Sequence, residues 1–226
     1  MRFILAVTCL SLLAATPVLA QDVTSDNEKV SYAVGWDMGT NIKRRVGELD
    51  VDTIIQAIRD AVNESEPRVS QEEMQQILIA LQQQMRQEQL EALRKLAEEN
   101  KAKSEAFLAE NRGKTGIVAL PSGVQYRVIE EGDGQRPSLE DTVRVHYRGS
   151  KMDGREFDSS FARGQPEEFT VNAVLRGWQE VLPLMKEGST WQVFVPPELA
   201  FGTRGQPPVG PNEALMFDLK LIEIVQ

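Results

Sequence analysis

Histidine and cysteine, the side chains that most zinc sites and histidine-based nucleophilic sites need, are almost absent from this sequence. His146 is the sole histidine and Cys9 the sole cysteine. A nucleophilic triad with a histidine base would have to use His146, which on an alternating strand points to the opposite face from its neighbour Tyr147. A zinc site needs more histidines or cysteines than the chain offers. The sequence therefore predicts no metal ion and no cofactor, and His146 is expected to pack or hydrogen-bond locally.

The carboxylates also lack the spacing of an ion site. Glu130, Glu131 and Asp133 lie among glycines, but not at the intervals of a calcium-binding helix–loop–helix, and the glycines do not form a phosphate-binding pattern. We interpret residues 130–134 as a loop between two strands. The formal net charge of −9 disfavours nucleic acid as a partner, because nucleic-acid binders need a basic patch to displace counterions.

Residues 1–20 have the pattern of a signal peptide. Arg2 supplies a positive start, an apolar run follows, and small residues precede a cleavage point after Ala20. An uncleaved membrane anchor is the alternative, but the run is short for roughly 30 Å of hydrocarbon and contains Pro17. Cleavage would remove Cys9, so the mature chain would carry no cysteine and form no disulfide.

The sequence that follows predicts helices that position whatever comes after them. Ser25 with Glu28, and Ser70 with Glu73, match capping boxes, and a second helix is expected to begin at Asp50. We predict an N-terminal helical dimerisation region at residues 21–69 and a long connecting helix at residues 70–113. Long charged helices more often form stalks and coiled coils than catalytic sites. A homodimer built from the first 70 to 85 residues is favoured over a monomeric three-helix arm.

Residues 114–226 have a different pattern, rich in glycine, proline, valine and aromatic residues. Alternating stretches predict strands, which we place at residues 124–129, 142–149, 190–195 and 214–225. A hairpin turn is expected at residues 152–154, and one short helix between residues 175 and 185. Strands with a single helix predict an α+β domain.

Several short runs occur in a fixed order in this half of the chain: Val145-His146-Tyr147-Arg148-Gly149, Gly154-Arg155-Glu156-Phe157-Asp158-Ser159-Ser160, Val174-Leu175-Arg176-Gly177-Trp178, Pro196-Pro197-Glu198-Leu199-Ala200-Phe201-Gly202 and Leu215-Met216-Phe217-Asp218-Leu219. Together they resemble the FKBP-type peptidyl-prolyl cis-trans isomerases. The resemblance implies an antiparallel half-barrel sheet wrapped around one short helix, preceded here by an all-α arm. The first half is similar to the amino-terminal arm of the macrophage infectivity potentiator branch of this family. The members of that branch are exported bacterial proteins that dimerise through the arm and combine isomerase with chaperone activity. A periplasmic location, with or without outer-membrane association, is what that branch implies.

The same resemblance assigns a prolyl pocket. Trp178 would form its floor, the Leu175 N–H would donate to a substrate carbonyl, and Asp158 would be the polar group at the rim, held by Tyr147 or Arg163. Taken alone, each aromatic residue would be interpreted as core. The complete predicted set of catalytic residues is Tyr147, Phe157, Asp158, Val174, Leu175, Trp178, Phe201 and Phe217. Val209 is expected to close one edge.

Two residues depart from the usual family pattern. Phe201 stands where a tyrosine is common, and Glu167 stands where an aromatic residue often lies, with Phe169 interpreted as core. The expected partners are proline-containing unfolded or partly folded polypeptides, with tacrolimus and rapamycin as macrolide inhibitors. The alternatives are a proline-chain holdase with little or no turnover, and a docking module without activity.

Overall fold

The computed structural model describes residues 23–45 and 49–225, so the predicted signal peptide at residues 1–20 lies outside the described residues. The helices are α1 (Asp26–Arg45), α2 (Val51–Val62), α3 (Gln71–Arg112), α4 (Ser160–Arg163) and α5 (Arg176–Val181). The strands are β1 (Val118–Ala119), β2 (Gln125–Glu130), β3 (Thr142–Lys151), β4 (Glu156–Ser159), β5 (Glu167–Thr170), β6 (Thr190–Val195) and β7 (Leu215–Val225). The chain forms two compact units, divided between Leu81 and Gln82.

The first three helices begin at side chains that cap them. The Ser25 hydroxyl accepts from the Glu28 N–H at 3.3 Å, and the Glu28 carboxylate accepts from the Ser25 N–H at 2.9 Å. The Asp50 carboxylate accepts from the Thr53 N–H at 2.6 Å. The Ser70 hydroxyl accepts from the Glu73 N–H at 3.2 Å. Caps of this kind stabilise a helix by about 1 kcal/mol. The predicted starts of these helices are confirmed.

Within the first unit, α1 and α2 expose much of their apolar surface. Val30, Val34 and Met38 recur every four residues of α1, on one face of the helix, and are 62%, 55% and 45% exposed. On α2, Ile55 and Ile58 are also exposed. No helix among the described residues is long and apolar enough to cross a membrane.

The second unit is built on one antiparallel sheet, in the strand order β1-β2-β6-β7-β3-β4, with β5 also pairing with β3. Alternation places every second residue of β3 and β7 toward the interior. From β3 these are Val143, Val145, Tyr147 and Gly149, and β7 contributes Phe217 among others. The short helix α5 packs into the concave side and completes the core. The predicted α+β class, with a half-barrel sheet around one short helix behind a helical arm, is confirmed.

The last turns of α3 pack on the outer face of the sheet. Phe107 meets Phe194 of β6 with ring centroids 6.0 Å apart. Gln125 of β2 is 1% exposed, and both ends of its amide are paired. Its Nε2 donates to the Leu108 carbonyl at 2.8 Å, and its Oε1 accepts from Asn111 Nδ2 at 2.9 Å. This end of α3 therefore belongs physically to the sheet unit.

The four predicted strands are found within two residues of their predicted bounds, and the short helix α5 lies inside the range predicted for it, where a 3₁₀ turn at Leu182–Leu184 follows it. Four short elements are not predicted by the sequence pattern: β1, β4, β5 and α4, which hold only two or four residues each. Such segments place at most two side chains on a face, too few for a periodic pattern to be recognised. The hairpin turn is confirmed, with Gly154 at φ 84° and the Lys151 N–H donating to the Arg155 carbonyl.

Candidate active site

A cavity of about 170 Å³ opens on the concave side of the sheet beside α5. Since one water occupies about 30 Å³ in the liquid, the cavity has room for a small ring. Six of its lining residues are aromatic, two are aliphatic and one is acidic: Tyr147, Phe157, Phe169, Trp178, Phe201, Phe217, Val174, Leu175 and Asp158. The structure therefore brings all eight predicted site residues to one cavity and adds Phe169.

Different elements deliver these side chains. Tyr147 comes from β3, and Phe157 and Asp158 come from neighbouring positions of β4. Val174 and Leu175 immediately precede α5, whose first turns carry Trp178. The remaining aromatic residues come from β5, from β7 and from the segment after the 3₁₀ turn Pro197–Leu199. The cavity therefore depends on the whole sheet unit.

Trp178 is the centre of the aromatic cluster. It is 4% exposed and meets three rings edge-on, those of Tyr147 at 5.2 Å, Phe217 at 5.1 Å and Phe169 at 6.2 Å between centroids. Edge-to-face pairs contribute about 0.5–1.5 kcal/mol each beyond area burial. The three contacts fix the indole as a rigid floor. Its Nε1 is buried and has no hydrogen-bond partner in the described part of the chain.

Gly149 of β3 makes room for two of the walls. A Cβ at this position would lie 2.7 Å from Phe157 and 2.9 Å from Phe217, well inside the usual carbon–carbon separation of about 3.5–4.0 Å. Phe157 and Phe217 in turn meet edge-on at 5.9 Å. The absent side chain at Gly149 therefore allows both rings to lie close to the backbone of β3.

A network of charged and polar groups holds the rim. Tyr147 Oη donates to Asp158 Oδ2 at 2.7 Å and accepts from Arg163 Nη2 at 2.7 Å. Arg163 Nη1 donates to Asp158 Oδ1 at 2.6 Å, and its Nη2 lies 2.5 Å from a Glu167 carboxylate oxygen. One guanidinium thus links two carboxylates and a phenol, which fixes Asp158 in place.

The network shifts the pKa values of its members. Burial tends to raise the pKa of Asp158, but the hydrogen bonds from Arg163 and Tyr147 outweigh it and hold that pKa below its usual range. Burial, followed by the hydrogen bond to Asp158, raises the pKa of Tyr147 to about 12. At neutral pH Asp158 is therefore an acceptor and Tyr147 a donor.

The backbone of Val174 and Leu175, two residues that line the cavity, has paired carbonyl groups. The Val174 carbonyl is occupied, because it accepts from Gln179 Nε2 at 2.8 Å. The Leu175 carbonyl accepts from the Trp178 and Gln179 N–H groups. The Leu175 N–H has no partner among residues 23–45 and 49–225. An apolar cup with one fixed carboxylate suits a neutral, amide-containing ligand better than acid–base chemistry.

Comparison with known proteins identifies the family. Residues 134–222 match the family described as FKBP-type peptidyl-prolyl cis-trans isomerase, and residues 27–128 match the domain amino terminal to it. "Outer membrane protein MIP" of Legionella longbeachae is 41% identical over 95% of this chain and 94% of that protein. The chain belongs to the FKBP-type peptidyl-prolyl cis-trans isomerase family.

Further relatives agree with this assignment. "Peptidyl-prolyl cis-trans isomerase Mip" of Coxiella burnetii is 38% identical over 94% of this chain and 93% of its own length. The crystal structure of FkpA from Escherichia coli superposes with a TM-score of 0.75 at 32% identity, covering 90% of this chain and 98% of that one. The chain is therefore a peptidyl-prolyl cis-trans isomerase, and the family to which it belongs binds proline-containing substrates and macrolides. This result favours the isomerase over the holdase alternative.

In this isomerase, two residues differ from their sequence interpretation. Phe169, interpreted as core, packs against the core cluster and also lines the cavity. Val209, expected to close an edge, is 4% exposed and packs in the core cluster. Glu167 pairs with Arg163 in the rim network. Glu167 and Phe169 are two positions apart on β5 and so share a face, which is the signal that could have identified Phe169.

His146 lies where the alternation predicts, away from the cavity. Its Nδ1 is 2.9 Å from the Ser160 hydroxyl, and its ring stacks on Phe161 at 4.4 Å. The prediction of a local packing role is confirmed.

Proposed function

We propose that the aromatic cavity is the site at which this isomerase converts X-Pro amide bonds between cis and trans. The observation that supports this is the convergence of six aromatic rings and one carboxylate on a cavity with room for a pyrrolidine ring. Trp178 forms the floor under the prolyl ring, and Tyr147, Phe157, Phe169 and Phe217 form the walls.

The mechanism needs no proton transfer. The barrier to amide rotation is about 18–20 kcal/mol because rotation removes the resonance of the C–N bond. In the twisted transition state the carbonyl is less dipolar than in the planar ground state, so water stabilises the ground state more. An apolar cavity that removes this water lowers the barrier by differential binding.

The polar groups orient the substrate chain. The Leu175 N–H donates to a carbonyl of the bound peptide and fixes the residues around the proline. Asp158, ionised and held by Arg163 and Tyr147, marks the rim of the cavity, where it interacts with the chain before the proline. Holding the chain on both sides lets the enzyme bind it in a partly twisted shape.

Substitutions at the floor and the rim test this proposal. We expect Trp178→Leu, Phe157→Ala and Asp158→Leu to lower kcat/KM for cis-to-trans conversion of a proline peptide, and tacrolimus and rapamycin to compete with the peptide. Phe161→Ala is the matched control, since Phe161 is an aromatic residue 49% exposed on the outer side. Unchanged rates in all three cavity variants, with circular dichroism showing an intact fold, would refute the assignment.

The helical arm is assigned to dimerisation and chaperone activity. Residues 1–20 are the signal peptide, residues 21–69 the dimerisation region and residues 114–226 the isomerase domain. Residues 70–113 are the connecting helix, whose last turns pack on the sheet of the isomerase domain. The exposed stripe of Val30, Val34 and Met38 on α1 supports a second copy as its cover, because apolar patches of this kind mark contact surfaces. The relative named as an outer membrane protein supports export to the periplasm, with clients that are unfolded, proline-containing polypeptides.

The dimer is tested by light scattering on the mature chain. Val34→Glu with Met38→Glu is expected to yield monomers, because each charge would be buried without a partner. Lys43→Glu is the control and should remain dimeric, because Lys43 is exposed on the opposite side of α1 from the stripe. A wild-type chain that scatters as a monomer at all concentrations contradicts the assignment.

A further inference from the structure

The segment of residues 202–214, here named the wall loop, joins two walls of the cavity. Phe201 immediately precedes it, and Phe217 follows it by three residues in β7. We propose that the last turns of α3 position this loop, and through it the Phe201 wall. Asn100 and Ser104 would then be positioning residues for isomerisation. The inference rests on the proposed role of the cavity.

The helix binds the end of the loop through buried hydrogen bonds. Ser104 is 1% exposed. Its hydroxyl donates to the Asn212 carbonyl at 2.8 Å and accepts from the Ala214 N–H at 2.8 Å. Asn100 Nδ2 donates to the Pro211 carbonyl at 2.9 Å, and Asn212 Nδ2 donates to a helix carbonyl at 3.1 Å. Four bonds thus hold residues 211–214 against α3.

The loop passes this constraint to Phe201. The Asn212 N–H donates to the Gly202 carbonyl at 2.9 Å, and the Gly202 N–H donates to the Pro197 carbonyl at 2.8 Å. Asn212 itself has a φ of 52°, a left-handed conformation that asparagine adopts more readily than most other non-glycine residues. The Ser104 hydroxyl is therefore two hydrogen bonds away from the residue next to Phe201.

A second anchor holds the middle of the loop. Lys151 Nζ donates to the Pro208 carbonyl at 2.5 Å and pairs with Glu213 at 3.3 Å, with both side chains less than 15% exposed. Glu213 also accepts from the Gly210 N–H at 2.7 Å. Because this anchor does not involve α3, loss of the Ser104 contacts should shift the position of the loop and leave it folded.

The same helix provides a control for a purely structural role. Asn111 is 3% exposed and bonds Gln125, so it also joins α3 to the sheet unit. Gln125 lies in β2, which contributes no side chain to the cavity lining. Deleting the Asn111 amide should therefore lower stability without displacing a wall.

The test is a double-mutant cycle in the full chain. One cycle combines Ser104→Ala with Phe201→Leu, and a second combines Asn111→Ala with Phe201→Leu. The kcat/KM for a proline peptide is measured under conditions in which urea titration shows every variant to be fully folded. We expect Ser104→Ala to lower kcat/KM about fivefold, the equivalent of one lost hydrogen bond. We expect Asn111→Ala to change it less than twofold. In the Phe201→Leu background the effect of Ser104→Ala should shrink toward none, because its effect on catalysis passes through that ring.

Asn100→Ala, which deletes a single hydrogen bond to the loop, replaces Ser104→Ala if the latter does not fold. Three results would each overturn the proposal. They are a wild-type kcat/KM in Ser104→Ala or its replacement Asn100→Ala, a loss of kcat/KM in Asn111→Ala equal to that in Ser104→Ala, and a loss that stays as large in the Phe201→Leu background. The single variants Phe201→Leu and Trp178→Leu, each measured by itself, test the role of the cavity separately. Slow cavity variants beside a fully active Ser104→Ala would refute the positioning role and keep the proposed function.

Discussion

Addition of one methyl group at Gly149 tests whether the spacing of the aromatic walls controls catalysis. The Cβ of Gly149→Ala would lie 2.7 Å from Phe157 and 2.9 Å from Phe217. Both rings line the cavity, so a shift of either ring away from the new methyl group changes the space that a prolyl ring would occupy. The perturbation therefore acts on the cavity volume and leaves every polar group in place.

The size of the expected effect follows from the overlap between the added methyl group and the two rings. The contacts are about 0.6–1.3 Å shorter than the usual carbon–carbon separation of about 3.5–4.0 Å, and overpacking of this kind costs typically about 1–3 kcal/mol. Phe217 is 2% exposed and also packs on Trp178 at 5.1 Å, so it yields less easily than Phe157. We expect unfolding in urea to show a loss of about 2 kcal/mol, within that overpacking range. If displaced walls raise the barrier by a similar amount, kcat/KM falls about thirtyfold.

Peptide isomerisation, measured where urea titration shows the variant fully folded, separates the two effects. Gly113→Ala is the matched control, because a Cβ there would meet nothing closer than 3.5 Å. Wild-type kcat/KM in Gly149→Ala, alongside the expected loss of stability, would show that the wall spacing does not matter to catalysis.

Three further predictions concern single groups. Phe201→Tyr restores a hydroxyl at the cavity and should tighten tacrolimus binding about two- to twelvefold in a competition assay, the worth of one hydrogen bond; unchanged affinity would contradict it. The lowered pKa of Asp158 gives stability that is complete above the unfolded value of about 3.9 and is lost as pH falls through the folded pKa. The raised pKa of Tyr147, about 12, gives stability that is present below about pH 10 and is lost as pH rises through the folded pKa. Urea midpoints measured against pH should show a smaller acid loss in Asp158→Asn and a smaller alkaline loss in Tyr147→Phe, each compared with the wild type. An unchanged profile in either variant would count against the network. Gln125→Ala should lower the free energy of unfolding by about 1–3 kcal/mol, because it leaves buried groups of α3 unpaired, and full stability would contradict the packing of α3 on the sheet.

Long periodic segments were predictable from the sequence because they repeat a pattern. The caps at Ser25, Asp50 and Ser70 marked helix starts, and the alternation of β3 marked Tyr147 as an inward residue. The eight site residues came from a family resemblance, since each aromatic residue alone fits a core as well as a cavity. What distinguishes the two is empty space, which is a property of the packed structure.

The packing of α3 on the sheet could not be predicted. Asn100, Ser104 and Asn111 are polar residues within a helix dominated by Glu, Lys, Gln and Arg, so their pattern indicates a solvated face. Their partners are 14 to 111 residues away in sequence, and two of these are backbone carbonyls, which every residue carries. A fragment that starts after Arg112 would expose Gln125 and Phe194, and a folded isomerase unit is expected to need the last turns of α3.

The rim network explains how a cavity that must exclude water can carry a carboxylate. Asp158 keeps its charge, because hydrogen bonds from Arg163 and Tyr147 lower its pKa, so it cannot serve as a proton donor at neutral pH. Its charge is opposed by the guanidinium within 2.6 Å, and the phenol donates to it from within the wall. The field at the prolyl ring is therefore much weaker than that of an isolated carboxylate. An arrangement that fixes a charge and neutralises it beside aromatic rings suits a reaction in which no bond breaks and the transition state is less polar than the substrate.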